Sequence, residues 1–136
     1  MVIDRRLLIE EDPDGVKAEI GELLEALVRE RAGFSYSMRE LFEVKPTMTD
    51  RNGPVARSTA AAVRRVLGRD AQFVCSPGTY DQKHIDRVGR LKDCIAYGPG
   101  MLDLAHQPDE YVLIDDLVSS AKVMAISAWS LLSGSA

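Results

Sequence analysis

Two short apolar runs in the second half of the chain, AQFVC at 71–75 and DCIAY at 93–97, most constrain the fold that this sequence can adopt. Apolar runs of this length are typical of strands that are covered by helices on both faces. Helical spacing precedes the first run and follows the second, and a short polar helix is predicted between them, over about 82–90. The order helix, strand, helix, strand, helix predicts an α/β fold with a parallel sheet.

The first third of the chain is predicted to form a strand, a helix and a second strand. Residues 2–9 have the alternating, branched pattern of a short strand, and Asp12 followed by Pro13 predicts the beginning of a helix. That helix is expected to end at Gly33. Residues 34–44 then alternate between apolar and polar side chains, which predicts a strand that is covered on one side only.

The segment KPTMTDRNGP, at 45–54, separates the two parts of the chain. It contains two prolines and a glycine and lacks periodicity, as is typical of a hinge or a domain boundary. We therefore expect two domains, 1–49 and 50–136. Pro54 is expected to begin a helix, and a final helix is expected to be capped near Asp115. The side chains that the final helix is expected to bury are Leu117, Val118, Ala121, Met124, Ala125 and Leu132.

Composition and charge exclude several classes of protein. The chain has 136 residues, of which 46% are hydrophobic, and this suits a globular protein. No apolar run approaches the roughly 18 residues of a membrane span, and the beginning MVIDRR lacks the order of a secretory signal, so we expect a cytoplasmic location. The net charge of −4, with both signs mixed, provides no basic surface for nucleic acid. Cys75 and Cys94 lie in apolar runs without CxxC spacing and are expected to be buried thiols.

Two loops at the ends of the predicted strands are the first place to look for a binding site. If the strands that end near Cys75 and Tyr97 are parallel, the loops SPGTYD and GPGMLDLAHQPDE emerge at the same edge of the sheet. Ligands collect at that edge in open α/β sheets.

Each residue in these loops has a structural as well as a functional interpretation. Gly78, Gly98 and Gly100 suit either a positive φ or the close approach of a ligand. Thr79 suits either a helix cap or a substrate contact. His106 suits a metal ligand, a general base or an ordinary surface histidine, and His84 is expected to be a surface histidine.

A longer stretch, YGPGMLDLAHQPDEYVLIDDLVSSAKVMA, resembles the closing segment of the acetylornithine deacetylase, succinyl-diaminopimelate desuccinylase and glutamate carboxypeptidase family. Members carry a G-P-G…A-H-x-P-D-E-Y-V run followed by a helix. SPGTYDQ resembles that family's G-T-x-D loop, and IDRRLLIEEDPD resembles the D-x-R strand of its lid domain. The resemblance implies the carboxyl-terminal portion of a zinc-dependent amidohydrolase: half of a lid (dimerisation) domain, followed by the last units of a zinc-exopeptidase-like catalytic domain.

The resemblance also implies roles for individual residues. His106 is implied to bind one of two zinc ions, although cobalt or manganese also suits a single imidazole. Arg6 is implied to contact the carboxylate of the substrate. Gly78, Thr79 and Gly98 are implied to bind the substrate, a small N-acyl amino acid or related compound whose amide is hydrolysed.

The chain departs from the family pattern where catalysis is concerned. The resemblance places the family's H-x-D motif, bridging aspartate, Glu-Glu pair with the general base, and lid histidine outside this chain, so no catalytic residue is assigned in it. We expect it to be inactive without the missing amino-terminal half of the enzyme, and to form a homodimer through the lid domain, without nucleic acid or membrane. The alternatives are a non-catalytic dimerisation or regulatory module derived from such an enzyme, and an unrelated small α/β binding protein.

Overall fold

Helices are the regular secondary structure of this chain in a computed structural model that describes residues 1–76, 78 and 80–134. The elements are α1 (Pro13–Glu30), α2 (Pro54–Leu67), α3 (Gln82–Arg87) and α4 (Ile114–Leu132), with a 3₁₀ turn at Leu102–Leu104. The four α-helices predicted from the sequence are therefore confirmed, although α3 is shorter than expected. Over the residues described, none of these helices has both the length and the apolar content that crossing a membrane requires.

The predicted α/β fold is wrong, because the described residues contain no β-strand. The runs expected to be strands, 2–9, 34–44, 71–75 and 93–97, have no regular secondary structure. A strand forms only where a neighbouring segment completes a ladder of backbone hydrogen bonds. In the last run the amide of Cys94 instead donates to the carbonyl of Lys92, only two residues away, at 3.0 Å. Apolar patterning alone does not provide the partner that a strand needs.

The chain divides into two compact units, Met1–Met48 and Thr49–Ala136. The first unit contains α1, and the second contains the other helices. The identification of 1–49 as part of a lid domain and of 50–136 as part of a catalytic domain stays a prediction.

The beginning of α1 is built by its own sequence. The Asp12 carboxylate accepts a hydrogen bond from the amide of Gly15 at 3.0 Å, and Pro13 occupies the first helical turn, where its missing N–H costs nothing. Lys17, one turn further on, bonds to Glu40 at 2.8 Å and also to Glu43. These carboxylates raise the pKa of Lys17 well above its usual range. The extended segment 34–44 is thus held to α1 by charged groups rather than by a sheet.

A second contact of this unit makes a pH-dependent prediction. The Tyr36 hydroxyl donates a hydrogen bond to Glu25 at 2.7 Å, and this bond raises the pKa of Tyr36, because ionisation would place a phenolate against a carboxylate. The folded-state pKa exceeds that of the unfolded chain, so the contact stabilises the fold below the ordinary phenol pKa of about 10 and is lost as pH rises through the raised value. We expect Glu25→Gln to shift one tyrosinate absorbance step to lower pH and Tyr36→Phe to remove it. Identical titration curves for the wild type and Glu25→Gln would contradict the contact.

The core of the second unit is the contact between α2 and α4. Ala62 and Val63 of α2 are buried against Val123 of α4, which has no exposed surface. Hydroxyl groups join the same helices: Ser58 donates to the Ser127 carbonyl at 3.0 Å, and the Thr59 and Ser127 hydroxyls are 3.0 Å apart. Small side chains let the two backbones approach closely, and the hydroxyls of Ser58, Thr59 and Ser127 form hydrogen bonds between the helices.

The face of α4 that is buried differs from the predicted one. The helix buries Ser120, Val123 and Ser127. The side chains expected in the core are all exposed: Leu117, Val118, Ala121, Met124, Ala125 and Leu132. That prediction is wrong because the helix contacts α2 through small side chains, of which Ser127 also forms hydrogen bonds to Ser58 and Thr59.

Candidate functional site

The segment that holds His106 is a chain of tight turns. The amides of Leu104, Ala105, Gln107 and Glu110 each donate to the carbonyl three residues earlier, at 3.0–3.3 Å. Gly100, just before these turns, has a φ of 88°, a conformation that favours glycine. The segment therefore folds on itself between Tyr97 and α4, as a loop.

His106, like Asp109, has a left-handed backbone conformation in this loop. Its φ of 63° is in the left-handed region, which is uncommon for a residue other than glycine. Its backbone amide donates to the Glu110 carboxylate at 3.0 Å, which closes the turn. The residue is exposed. The loop thus fixes the backbone of His106 and leaves its imidazole accessible to a ligand.

The residues around His106 do not by themselves suit a zinc ion. Across residues 1–76, 78 and 80–134, no group of three or more His, Cys, Asp or Glu side chains is placed to hold a metal. A catalytic zinc site takes three protein ligands. Of the carboxylates in the loop, that of Glu110 is engaged by the backbone of His106. A metal bound at His106 would need ligands beyond those that the described residues bring together.

The loop at 76–81 closes locally. The amide of Gly78 donates to the Ser76 hydroxyl at 3.1 Å, and that hydroxyl donates to the Tyr80 hydroxyl at 3.0 Å. A Cβ at Gly78 would lie 3.4 Å from the Ser76 oxygen, so the glycine allows this tight closure. Thr79 lies outside the described residues. The hydrogen bonds that the structure describes for Gly78 and His106 are local, and no strand within residues 1–76, 78 and 80–134 forms the sheet edge that was expected to bring their loops together.

Gly98 has no structural requirement for glycine in this conformation. Its φ is outside the left-handed region, and a Cβ would meet no atom within 4 Å. The positive-φ interpretation therefore applies to Gly100 and not to Gly98. The open space beside Gly98 is compatible with the substrate-binding role that the resemblance implies, a role that stays a prediction.

Arg6 belongs to the first unit and lies in a segment that contains several charged residues. Its guanidinium contacts Asp4 at 3.2 Å. The adjacent Arg5 forms an ion pair with Glu11, which also accepts a hydrogen bond from the amide of Leu8 at 2.6 Å. The bond from Arg5 lowers the pKa of Glu11. Both Arg6 and its partner Asp4 are exposed, so this guanidinium is accessible to a carboxylate.

The structure shows polar contacts that sequence reasoning missed. Gln82 donates to the Thr49 hydroxyl at 2.8 Å and to the Cys94 carbonyl at 2.5 Å, which ties the first residue of the second unit to α3. Asp93 accepts from the amide of Val55 at 3.1 Å and so caps α2 from a distant segment. The sequence did contain a signal for this cap. Gly53, at the N-cap position of α2, has no side-chain oxygen to accept a hydrogen bond from the helix, so another residue has to provide one.

The two cysteines differ in their environments. Cys75 is an exposed free thiol, and Cys94 is a half-buried free thiol. The expectation of burial is wrong for Cys75, because the run that contains it is not covered by helices.

Comparison with known proteins identifies the family. Residues 3–129 match the sequence profile of peptidase family M20/M25/M40. The chain is 30% identical to the candidate dipeptidase YtjP of Bacillus subtilis (strain 168) over 100 residues, which are 71% of this chain and 20% of that protein. It is 30% identical over 96 residues to the succinyl-diaminopimelate desuccinylase of Pseudoalteromonas atlantica, covering 71% of this chain and 24% of that enzyme. For the same enzyme of Thioalkalivibrio sulfidiphilus, the identity is 24% over 123 residues, with coverages of 90% and 30%.

The chain spans between a fifth and less than a third of the length of these relatives. No solved structure matches it. The family profile covers nearly the whole chain and agrees with the resemblance of the G-P-G…A-H-x-P-D-E run, which is thereby confirmed. Members of this family are generally metal-dependent. The chain belongs to peptidase family M20/M25/M40, a family of peptidases and amidohydrolases.

Proposed function

We propose that this chain is the carboxyl-terminal portion of a zinc-dependent amidohydrolase that cleaves the amide of an N-acyl amino acid or a related compound. The observation that carries this proposal is the family match over residues 3–129. Two of the relatives are named succinyl-diaminopimelate desuccinylase, which favours a substrate with an acylated amine. The expected cytoplasmic location is part of the same proposal.

In this proposal His106 provides one metal ligand and the remaining ligands come from the amino-terminal half of the enzyme. Two features support the assignment: the imidazole is accessible, and the backbone that carries it is fixed by Glu110. One imidazole does not define the metal, so cobalt and manganese are alternatives to zinc. Because the described residues bring together no complete metal site, the chain is proposed to be inactive alone.

Arg6 is proposed to bind the carboxylate of the substrate, since a guanidinium presents two parallel donors to a carboxylate. The ion pair of Arg6 with Asp4 is exposed, and an exposed ion pair contributes only about 0–1 kcal/mol. Gly78, Thr79 and Gly98 are proposed to bind the rest of the substrate.

Reconstitution tests this proposal. The chain is produced alone and together with the amino-terminal half of the enzyme, and each sample is assayed with N-succinyl and N-acetyl amino acids and with dipeptides in the presence of zinc. We expect hydrolysis by the reconstituted pair and none by the chain alone. Full activity of the chain alone would contradict the need for a second polypeptide. A correctly assembled pair that hydrolyses none of these amides would contradict the amidohydrolase.

A second candidate is a non-catalytic dimerisation or regulatory module. The observation that favours it is the exposure of Met38, Leu41 and Phe42, large apolar side chains of the extended segment 34–44 in the first unit. This candidate predicts a homodimer that forms through 1–49 without any metal. The amidohydrolase predicts the same homodimer together with metal binding by the reconstituted pair, so metal content separates the two.

A further inference from the structure

One face of α4 is apolar along its whole length. The large side chains on this face are exposed: Ile114, Leu117, Val118, Met124, Trp129 and Leu132. At 3.6 residues per turn they cover an arc of roughly 140°, and the residues between them on this arc are alanines. No charged side chain interrupts the arc.

The opposite face of the same helix is already packed. Val123 is buried against α2, and Ser127 bonds to Ser58 and Thr59. Because α4 is anchored through its small side chains, its large apolar side chains are not needed for the helix pair. An amphipathic surface helix normally shows the reverse arrangement, with the large apolar side chains inside. The exposed face of α4 therefore has the composition of a surface that something else covers.

The size of this face helps to identify what covers it. With 19 residues, α4 is about 28 Å long, and a stripe roughly 10 Å wide gives an area on the order of 300 Å². A stable interface between two proteins buries about 800 Å² on each side. Two copies of this chain that paired through α4 alone would fall well short of that area.

A larger partner fits the observations better than a second copy. Further exposed apolar side chains lie in the same unit, namely Phe73, Val74, Tyr111, Val112 and Leu113. The family match includes α4 up to residue 129, and in the relatives the matched region is joined to more than two thirds of a longer polypeptide. In those proteins the helix belongs to a larger body.

We propose that the apolar face of α4 is the docking surface for the rest of the peptidase, through an uncharged, aliphatic surface on the amino-terminal half. This inference rests on the proposed function, since it identifies the surface through which the two halves meet. It requires neither bound metal nor substrate.

Trp129 reports on docking, because it is the single tryptophan of the chain and lies on this face. The chain is labelled with fluorotryptophan and mixed, in the presence of a metal chelator, with the Pseudoalteromonas desuccinylase from which the matched segment has been removed. The segment removed from that enzyme, added back as a separate polypeptide, is the positive control for binding. We expect the labelled chain to co-elute with the truncated enzyme in gel filtration and its fluorine resonance to shift.

Two matched variants locate the surface. Leu117 is 51% exposed on the α4 face, and Leu23 is 62% exposed on α1, so an aspartate at either position leaves the buried core intact. We expect Leu117→Asp to weaken binding by about tenfold or more, because docking would bury its charge, and Leu23→Asp to change it by less than about twofold. Circular dichroism of each variant checks that the helices are retained.

Several outcomes would overturn the inference. These are equal weakening by both variants, no binding where the positive control binds, and binding that leaves the Trp129 resonance unchanged. If the chain forms a homodimer and Leu117→Asp dissociates it, the occupant of this face is a second copy of the chain. If the Trp129 resonance shifts only when phosphatidylcholine vesicles are added, the occupant is a membrane. Docking without hydrolysis would contradict only the proposed function, whereas hydrolysis unaffected by Leu117→Asp would contradict only the docking surface.

Discussion

Replacing His106 with alanine is expected to abolish metal binding and hydrolysis in the reconstituted enzyme without preventing its assembly. If this imidazole is one of the three or four protein ligands of a zinc ion, its removal leaves too few. Mutation of a residue that only hydrogen-bonds to a metal ligand already lowers metal affinity or activity by about 10–100-fold. Removal of the ligand itself is therefore expected to lower the rate of hydrolysis by about 100-fold or more. Metal content and the rate of N-acyl amino acid hydrolysis measure the effect.

Two controls separate loss of the ligand from damage to the loop. The φ of 63° at His106 is costly for alanine but tolerated by asparagine, so His106→Asn keeps the turn while removing the imidazole. His84 is the other histidine of the chain and is exposed on α3, so His84→Ala is expected to leave metal content unchanged. If His106→Asn retained full metal content and activity, the assignment of His106 as a ligand would be wrong.

The second large effect concerns the core between α2 and α4. Val123 has no exposed surface, and its buried neighbours Ala62 and Val63 offer no opposite charge. Val123→Asp is therefore expected to lower the free energy of unfolding of the second unit by about 3 kcal/mol or more, because it buries an unpaired carboxylate. Urea unfolding followed by circular dichroism measures this change.

Val118→Asp is the matched control, since it places the same charge on the same helix. Val118 is 46% exposed, so its replacement is expected to change the free energy of unfolding by no more than about 0.5 kcal/mol. Equal destabilisation by the two variants would show that the face of α4 that carries Val123 is not the buried one.

The helices were predictable because their signals are local. Asp12 and Pro13 fix the beginning of α1, and Pro54 fixes that of α2, through contacts within a single turn. The presence of strands was not predictable in the same way, because each strand needs hydrogen bonds to a second strand that is distant in sequence. Residues 71–75 and 93–97 have the expected composition, yet the structure does not pair them.

The packing of α4 shows a second limit of sequence reasoning. A hydrophobic pattern identifies which face of a helix avoids water, but it does not identify what covers that face. In this chain Ser127 and Val123 pack against α2 while Leu117 is exposed, because the α2 contact depends on small side chains and paired hydroxyls.

The candidate site was predictable only in its position. The glycines and prolines around His106 predicted a loop, and the turns at 101–110 confirm it. The left-handed backbone of His106 was not predicted, since glycine was the residue expected in such a conformation. Further metal ligands could not be deduced, because the resemblance assigns no other residue of this sequence to that role.

Zinc analysis of the assembled enzyme tests whether this chain shares a metal site with the amino-terminal half. The chain alone and the reconstituted pair are each incubated with zinc, freed of excess metal by gel filtration and analysed by atomic spectroscopy. We expect the pair to retain two zinc ions for each copy of this chain, and the chain alone to retain none. Equal zinc retention by the chain alone, or hydrolysis by a pair that holds no metal, would contradict the shared site.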